Sequence, residues 1–454
     1  MKVIIVGAGT GGMCLAHGLR RAGIEVAVHE RDRTRTTGLH GYRVGISPNG
    51  ARALKACLDP ELFATFVATT AAPYDTLAML TERYRTLLTM SFDDLPHTSG
   101  GPEDRAPEDR EHNVSRMTLR QVLFTGMEDV IAFDRRFTHY EQHPDGRVTA
   151  FFDNGSEHAD RGSSDTGDLL VGADGAGSRV RRQYLPHATH TETGLVGIGG
   201  KTLLTGRTEA LLPEPVQNGF GMYFDRRGQF GITHVMRMPW GTSGVGVTER
   251  ELVDRWPGLR FDNTTDHVSW AITTSRTLAP ADVLEREGAD LVALAGELSA
   301  GWDRRWLELI DTSDPGAAVA LSIRTADPVP AWTPSTVTMI GDAIHTMTPG
   351  RGAGANTALR DARELRDRLV RVRDGELGLL EAVGEYEELM RRYSSLAVRE
   401  SLEFMNDDGT ARRPVIGPLS VLAQRTGLRV VDHIPAAKRR MARGFQRVRD
   451  SELV

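Results

Sequence analysis

Hydrophobic and polar positions at the start of the chain predict a strand, a helix and a second strand in close succession. Residues 2–6 are a run of mostly β-branched side chains that ends at glycines, which is typical of a buried parallel strand. A helical stretch follows from Gly11 to Ala22, and then a second strand from Glu25 to His29. Together the three segments have the size of a βαβ unit, about 30 residues.

The pattern changes in the middle of the chain and then returns. Residues 184–330 contain short β-like pieces with recurring glycine and aromatic residues, such as GFGMYFD and QFGITHVM. A strand followed by a loop reappears at residue 337, and the segments 356–372 and 378–403 are helical with charged faces. We therefore predict a first domain that is discontinuous in sequence, with a β-rich domain inserted into it.

Three further segments are dominated by polar or basic residues. The stretches 97–113 and 154–168 are rich in turn residues, and we predict surface loops there. The tail 411–454 has helical pieces separated by prolines, and its basic part 438–449 carries apolar residues along one helical face. We interpret this part as a solvated helix packed by its apolar stripe, with membrane or nucleic-acid contact as the alternative.

Composition excludes several classes of function. The 454 residues carry a formal net charge of -6, which provides no positive field for nucleic acid. No run approaches the ~20 apolar residues that a membrane span needs, and the first residues lack the pattern of a signal peptide. Cys14 and Cys57 are the only cysteines and show no metal-ligand spacing. We expect no metal site, no disulfide framework and a cytoplasmic location.

A glycine motif lies between the first strand and the first helix. Gly7 permits a tight turn, Gly9 lets a pyrophosphate approach the backbone, and Gly12 allows close packing of helix and strand. Glu30 ends the second strand, where a carboxylate accepts hydrogen bonds from a ribose diol. The segment predicts a dinucleotide site without deciding between FAD and NAD. Its expected cofactor contacts are Gly7, Gly9, Gly11, Gly12, Glu30 and Arg31.

A second motif, at 336–362, has the sequence TVTMIGDAIHTMTPGRGAGANTALRDA. A strand delivers Asp342 at its carboxyl end, where a carboxylate can hold ribityl hydroxyls. Glycines after a chain-breaking proline let main-chain amides approach a flat ring, and a helix that begins near Asn356 directs its positive end at an electron-rich group. The expected contacts are Asp342, Pro349, Gly352, Gly354, Ala355 and Asn356.

This segment resembles the GD motif of the class A flavoprotein monooxygenases, the para-hydroxybenzoate hydroxylase superfamily, whose form is GDAxHxxxPxxGxGxNxAxxDA. Residues 172–181, with Asp174, resemble the DG motif of that family, which is implicated in binding both FAD and NAD(P)H. Arg116 begins a segment similar to the RxxLxxxL helix, whose arginine lies over the flavin. The segment Gly41–Asn49 corresponds to a region beside the FAD, and Arg43 is the basic residue expected there.

The resemblance implies a fold and its division. The fold class is α/β, with a Rossmann-like FAD-binding domain (GR2-type, discontinuous), an inserted β-sheet substrate domain and a helical C-terminal segment. The FAD-binding domain is expected at 1–73, 112–183 and 331–400. The substrate domain is expected at 74–111 and 184–330, and the C-terminal tail at 401–454.

The resemblance also implies an activity. NADPH or NADH reduces FAD, and a flavin C4a-hydroperoxide delivers one oxygen atom to a small molecule, expected to be an aromatic, polycyclic or polyketide-like metabolite that is hydroxylated or epoxidised. The cofactor carries the oxidation chemistry, so we assign no catalytic residue. Two alternatives stay open, an FAD-retaining non-redox cyclase and a non-catalytic flavin or ligand sensor. Tyr223, Phe224, His234 and Trp240 are candidates for a substrate pocket or for the core of the inserted domain.

Overall fold

The structure is a computed structural model that describes residues 1–35, 37, 43–91, 105–153, 162–238, 251, 265–405 and 416–450. The strands are β1 Lys2–Val6, β2 Glu25–His29, β3 Arg43–Ile46, β4 Thr76–Thr81, β5 Thr86–Ser91, β6 His112–Ser115, β7 Ile131–Ala132, β8 Arg136–Gln142, β9 Val148–Asp153, β10 Ser163–Gly167, β11 Leu169–Gly172, β12 His190–Leu203, β13 Gly219–Phe224, β14 Phe230–Met236, β15 His267–Ser275, β16 Val319–Ala326 and β17 Val337–Met339. The helices are α1 Thr10–Arg21, α2 Pro48–Cys57, α3 Pro60–Ala68, α4 Arg116–Phe124, α5 Arg179–Tyr184, α6 Gly206–Glu209, α7 Gly288–Leu298, α8 Arg304–Asp311, α9 Asp342–His345, α10 Gly354–Arg373, α11 Leu379–Met405, α12 Ile416–His433 and α13 Pro435–Asp450.

A five-stranded parallel sheet forms the first layer, in the order β17-β11-β1-β2-β7. Its central strands are fully buried because helices cover both faces, which explains the near-continuous apolar runs. The predicted strands at 2–6 and 25–29 are confirmed, and the predicted helix between them runs from Thr10 to Arg21.

The sheet is assembled from segments that are distant in the chain. Strand β11 pairs with β1, with Leu170 opposite Ile4, and on its other side with β17, with Leu170 opposite Val337. The α/β class is confirmed, and the strand that returns after residue 330 joins the sheet of the first strand. The domain boundaries given above stay a prediction.

A second sheet has seven strands in the order β16-β12-β15-β14-β13-β4-β5. All its neighbours are antiparallel except β13 and β4. Helices α7 and α8 pack on one face, where Trp270 and Trp306 are buried in a shared apolar core. Side chains of α12 and α13, among them Leu428 and Met441, pack on part of the opposite face.

Two predicted surface loops are wrong over part of their length. Within 97–113, residues 97–104 lie outside the described residues, but 112–115 form the buried strand β6, which pairs with β3. Within 154–168, residues 154–161 lie outside the described residues, and 163–167 form β10, which pairs with β9. Polar composition concealed both strands because partners from distant segments satisfy their side chains, as Lys2 does for Asp165.

The C-terminal tail is helical where it is described. Helix α13 begins at Pro435, a favourable first helical position because proline needs no hydrogen bond from its nitrogen there. Lys438 pairs with Asp432 at 2.9 Å, and Met441 packs against the seven-stranded sheet. No helix among the described residues is both long enough and apolar enough to span a membrane.

Candidate functional site

The turn between β1 and α1 requires its glycines. Gly7 has a φ of 107°, and a Cβ there would lie 2.4 Å from the carbonyl oxygen of Ala173. A Cβ at Gly12 would lie 2.3 Å from the carbonyl oxygen of Gly7. Gly9 differs, because a Cβ there would meet only the Ala173 oxygen, at 4.0 Å. Gly7 and Gly12 are therefore required by the fold, whereas the space beside Gly9 is open to a ligand.

Glu30 follows the last residue of β2 and is fixed by main-chain donors. Its carboxylate accepts hydrogen bonds from the N–H of Ala8 at 2.7 Å and of Asp32 at 3.0 Å. Each carboxylate oxygen keeps a further lone pair for a ligand hydroxyl. The next residue, Arg31, is exposed and lines a surface cavity of about 330 Å³ together with Arg33, Asp134, Arg136 and Asp153.

Two helix N-termini come together at this point. Helix α1 begins after Gly9 and helix α10 after Ala353, and neither cap residue supplies a side-chain hydrogen bond. The two helices pack closely near these ends, since a Cβ at Gly11 would lie 3.0 Å from the carbonyl oxygen of Ala358. An uncapped N-terminus presents unsatisfied N–H groups and a partial positive charge. The pair therefore suits a ligand with two adjacent phosphates.

A buried carboxylate holds the turn that joins β17 to α9. Asp361, fully buried in α10, accepts hydrogen bonds from Gly341 N at 2.7 Å, from His345 Nε2 at 2.6 Å and from the Tyr393 hydroxyl. Gly341 has a φ of 62°, which glycine adopts without strain. Burial alone would lower the pKa of His345, but the carboxylate of Asp361 raises it above its ordinary value.

Asp342 follows this turn and lies in a recess. Its side chain is exposed, yet burial by the surrounding protein raises the pKa of its carboxyl, against the opposing effects of His345 and Arg116. A side chain that contacts solvent while protein atoms surround it faces a concave site. A Cβ at Gly354 would lie 3.9 Å from Asp342 Oδ1. Asp342, Gly354 and Arg116 thus lie around one recess.

The segment between Asp342 and α10 makes the tight loop that its sequence predicts. Pro349 begins a single 3₁₀ turn, and Gly352 ends it with a φ of 63°. A Cβ at Gly352 would have no neighbour within 4 Å, so the space beside this loop is also open. Ala355 lies in the first turn of α10, beside the uncapped N–H groups.

Asn356 connects α10 to strand β3. Its amide nitrogen donates to the carbonyl oxygen of Gly45 at 2.9 Å, and its carbonyl oxygen accepts from Ser47 N at 2.8 Å. At the start of β3, Arg43 donates to Asn113 Oδ1 at 2.9 Å from its Nε atom and lies 3.6 Å from Glu111. Arg43 is therefore held beside the recess through β3. Gly41 and Tyr42, in the same predicted segment, lie outside the described residues.

The DG motif contacts the other two motifs. Asp174 accepts hydrogen bonds from the N–H groups of Arg179 at 2.7 Å and Val180 at 3.4 Å, and its Cα is 3.0 Å from a Cβ built at Gly7. Its buried Oδ1 atom has no partner among the described residues. Arg181 reaches across to the carbonyl oxygen of Ala343, at 2.8 Å.

The structure thus brings most of the predicted residues to one place, with Arg31 at a separate surface cavity. Sequence reasoning missed the roles of Asp361, Arg181 and Tyr393. The first two lie inside the recognised motifs, and that position was the available signal. Tyr393 carries no such signal, because its contact with Asp361 depends on how α11 packs.

The aromatic candidates between residues 223 and 240 separate into two groups. Tyr223 is fully buried and its ring centroid is 5.1 Å from that of Trp306, and Phe224 packs on Phe230, so both belong to packed cores. His234 is also buried, but neither ring nitrogen has a hydrogen-bond partner within the described ranges. Trp240 lies outside the described residues.

Similarity to known proteins agrees with this geometry. The chain matches the FAD binding domain family over residues 1–44 and 325–399, the segments that contain the glycine turn and the GD motif. It is 28% identical over 404 residues to the dual O-methyltransferase/FAD-dependent monooxygenase elcB of Phaeosphaeria nodorum, which covers 80% of this chain and 40% of that protein. The chain spans less than half the length of the curated relatives it matches.

Two crystal structures share the fold over most of the chain. A protein from Photorhabdus luminescens, described as an FAD-containing monooxygenase, is 31% identical, with a TM-score of 0.72 over 89% of this chain and 97% of that one. HpxO of Klebsiella pneumoniae, in complex with FAD and uric acid, is 22% identical, with a TM-score of 0.73 over 100% of this chain and 98% of that one. At that identity, the likeness to HpxO concerns the fold alone.

Proposed function

Because this chain belongs to the FAD-dependent monooxygenases, we propose that it uses NADPH or NADH and dioxygen to hydroxylate or epoxidise a small organic molecule. The observation that carries this proposal is the pair of uncapped helix N-termini beside the recess of Asp342. FAD has two adjacent phosphates, a ribose diol and a hydroxylated chain that joins the phosphates to the ring. The residues present offer a suitable group for each.

FAD, when bound, supplies the transfer of electrons from the nicotinamide to dioxygen. The N–H groups at the starts of α1 and α10 would bind its phosphates, and Glu30 would accept hydrogen bonds from its ribose. Asp342 would accept hydrogen bonds from the ribityl hydroxyls. The full set that we propose to contact the cofactor is Gly7, Gly9, Gly11, Gly12, Glu30, Arg31, Arg43, Arg116, Asp174, Asp342, Pro349, Gly352, Gly354, Ala355 and Asn356.

The remaining work of this chain is to position the substrate and to exclude water. The seven-stranded sheet supplies a broad surface on the side of Arg43, whose guanidinium lies 5.8 Å from the centre of the Phe220 ring. Aromatic and aliphatic side chains on that surface favour a planar, electron-rich substrate, so we propose an aromatic or polycyclic compound. A cytoplasmic location stays a prediction.

Anaerobic reduction tests the proposal. The purified protein, with its FAD, is mixed with NADPH or NADH in the presence and absence of polycyclic phenols and polyketide-like compounds. We expect the flavin absorbance to bleach, faster with a compound that binds, and a hydroxylated or epoxidised product to form when oxygen is admitted. A flavin that dithionite bleaches but neither nicotinamide bleaches with any compound would contradict the proposal and favour the non-redox cyclase.

A matched pair of variants connects that assay to the site. Asp342→Asn removes the charge in the recess, and Asp367→Asn changes an exposed carboxylate of α10 that pairs with its neighbour Arg366. We expect Asp342→Asn to bind FAD about tenfold more weakly or worse, which corresponds to the loss of one charge-assisted hydrogen bond. Asp367→Asn is expected to bind FAD like the wild type. Equal FAD content in the two variants would contradict the assignment of Asp342 to the FAD site.

A further inference from the structure

A row of side chains crosses the seven-stranded sheet on the face opposite α7 and α8. Phe220 on β13 lies directly opposite His234 on β14, which in turn lies opposite Ser269 on β15. With Ile232 and Ala271, which alternate with them onto the same side, these residues define what we term the open face. All but the buried His234 are half-buried, so this side of the sheet is partly accessible.

Two members of the row are polar and lack partners. His234 is 1% exposed, and neither Nδ1 nor Nε2 makes a hydrogen bond with any described residue. The Oγ atom of Ser269, on the adjacent strand, is also buried and has no partner in the described part of the chain. Burying polar groups without hydrogen bonds reduces stability, so such groups call for an explanation, and two on neighbouring strands form one site.

The surroundings of His234 suit a flat ring. Tyr74 meets the imidazole edge-on with ring centroids 5.0 Å apart, and Phe220 does so at 5.5 Å. On β12 the row continues to Lys201, which lies opposite Ser269, and Gly199 and Gly197 follow on the same side without side chains. The open face is therefore bounded by aromatic rings at one end and by Lys201 and two glycines at the other.

The open face adjoins the proposed flavin site. Arg43 lies over the ring of Phe220, and its positive charge contributes to lowering the pKa of His234, after the larger effect of burial. Arg43 also begins the strand that Asn356 binds through Gly45. A group that reaches His234 is thus on the side of the sheet that faces the recess.

We propose that His234 and Ser269 bind the hydroxyl oxygen of a planar phenol or enol substrate, an assignment that rests on the proposed monooxygenase function. A neutral imidazole offers one donor and one acceptor, and a serine hydroxyl offers both. A phenolic hydroxyl also donates and accepts, so it satisfies both side chains. An ether or a carboxylate has no proton to donate and leaves an acceptor unpaired. The charge of Arg43 favours an oxygen that carries partial negative charge.

Tyr74 controls access to this subsite. Its half-buried ring covers the imidazole edge-on, and the other neighbours of His234 in the row are the half-buried Phe220 and Ser269. A rotation of the Tyr74 side chain opens His234 to a ligand without a change in the sheet. His234 is a positioning residue in this scheme, because it orients the substrate and takes no part in oxygen transfer.

Ligand binding to the FAD-loaded full chain tests the subsite. The probes are 2-naphthol, 2-methoxynaphthalene and 2-naphthoate, with affinities measured by equilibrium dialysis. The variants are His234→Leu, which removes both hydrogen-bonding groups, His234→Gln, which keeps a donor and an acceptor, and the control Ile232→Val on the same face and strand. Thermal unfolding and FAD content are recorded for each protein.

We expect wild-type protein to bind 2-naphthol about tenfold more tightly than either other probe, the value of one good hydrogen bond. His234→Leu loses about that factor for 2-naphthol, whereas His234→Gln and Ile232→Val keep most of the affinity. The unfolding temperature of His234→Leu equals or exceeds that of the wild type, because an apolar side chain replaces an unpartnered polar one.

Three results would overturn the assignment. They are failure of wild-type protein to bind 2-naphthol, unchanged 2-naphthol affinity in His234→Leu, and a lower unfolding temperature in His234→Leu. The last would show a structural role. Flavin reduction by NADPH and by NADH in the same samples separates the two proposals: intact probe binding without reduction by either nicotinamide rejects the monooxygenase, and reduction without preferential 2-naphthol binding rejects only the subsite.

Discussion

Two buried polar sites, one beside each large sheet of this protein, differ in whether their groups have hydrogen-bond partners. Beside the parallel sheet, Asp361 is fully buried and satisfied by three donors from two parts of the chain. On the seven-stranded sheet, the buried His234 and the buried Oγ atom of Ser269 have no hydrogen-bond partner among the described residues. A satisfied network fixes one local geometry, while unsatisfied groups remain available to a ligand. The first arrangement suits a cofactor that stays bound, and the second suits a substrate that binds and dissociates.

The largest expected effect comes from breaking the Asp361 network. Asp361→Ala leaves Gly341 N, His345 and the Tyr393 hydroxyl without their acceptor in a buried site. We expect the free energy of unfolding to fall by about 3–5 kcal/mol, the usual result of removing one partner of a buried charged network. Chemical denaturation measures the loss. A decrease no larger than that of the exposed control Asp367→Asn would contradict the contrast between the sheets.

Two glycines in one turn are expected to differ in their effects, one on the stability of the fold and the other on FAD affinity. In Gly12→Ala the new Cβ meets the Gly7 carbonyl oxygen at 2.3 Å, so we expect overpacking to cost about 1–3 kcal/mol of stability. In Gly9→Ala the Cβ meets only the Ala173 oxygen at 4.0 Å, and the main loss falls on FAD affinity. Unfolding of the apoprotein and FAD titration separate the two effects. Equal destabilisation of both apoproteins would contradict the assignment of Gly9 to the ligand.

Glu387 also lies beside the parallel sheet, but its carboxyl is not fully satisfied as that of Asp361 is. It provides the smallest predicted effect. Its Oε1 atom accepts a hydrogen bond from Thr338 at 2.9 Å, and its Oε2 atom is buried near the indole of Trp332. Burial raises the pKa of Glu387 from 4.5 to about 7. The folded protein therefore holds a proton that the unfolded chain releases, and stability falls as the pH rises from about 4.5 through about 7.

Substitution by glutamine removes this titration. We expect Glu387→Gln to be more stable than the wild type at pH 8 by roughly 1–2 kcal/mol, because no buried charge forms. The difference should shrink towards zero at pH 5, where the wild-type carboxyl is protonated. Denaturation of both proteins across this range measures it. If the wild type instead became more stable relative to the variant between pH 5 and pH 8, folding would lower the pKa of Glu387 and not raise it.

The predictable part of this molecule is the part that short segments determine. The turn at Gly7 and the helix that begins beside Gly9 depend on neighbours within the same few residues, and the sequence predicts them correctly. The link from Asn356 to Gly45 joins residues that are 311 positions apart, and no local pattern predicts it. Strand β10 escaped prediction for the same reason, because Lys2 and His29 satisfy the polar Asp165 within it.

Absence of a partner is equally inaccessible to local reasoning. The sequence identifies His234 as a pocket or core candidate. Whether its ring nitrogens find hydrogen-bond partners depends on where the side chains of Tyr74 and Ser269 lie in the folded structure. The recess of Asp342 likewise depends on helices α1 and α10, which are distant in the chain. Residue types therefore predict the chemistry of the site, while packing between distant segments decides which groups are satisfied.

The pairing of β11 with β17 also has a consequence during synthesis. One edge of strand β11, at Leu170, stays unpaired until Val337 of β17 has been synthesised. A ribosome adds the intervening ~170 residues in roughly 10–30 seconds. Until then an apolar parallel strand has an unpaired edge, which is a template for association with other chains. A nascent or truncated chain that stops before Val337 is therefore expected to aggregate and to depend on chaperones, even though its first βαβ unit is complete.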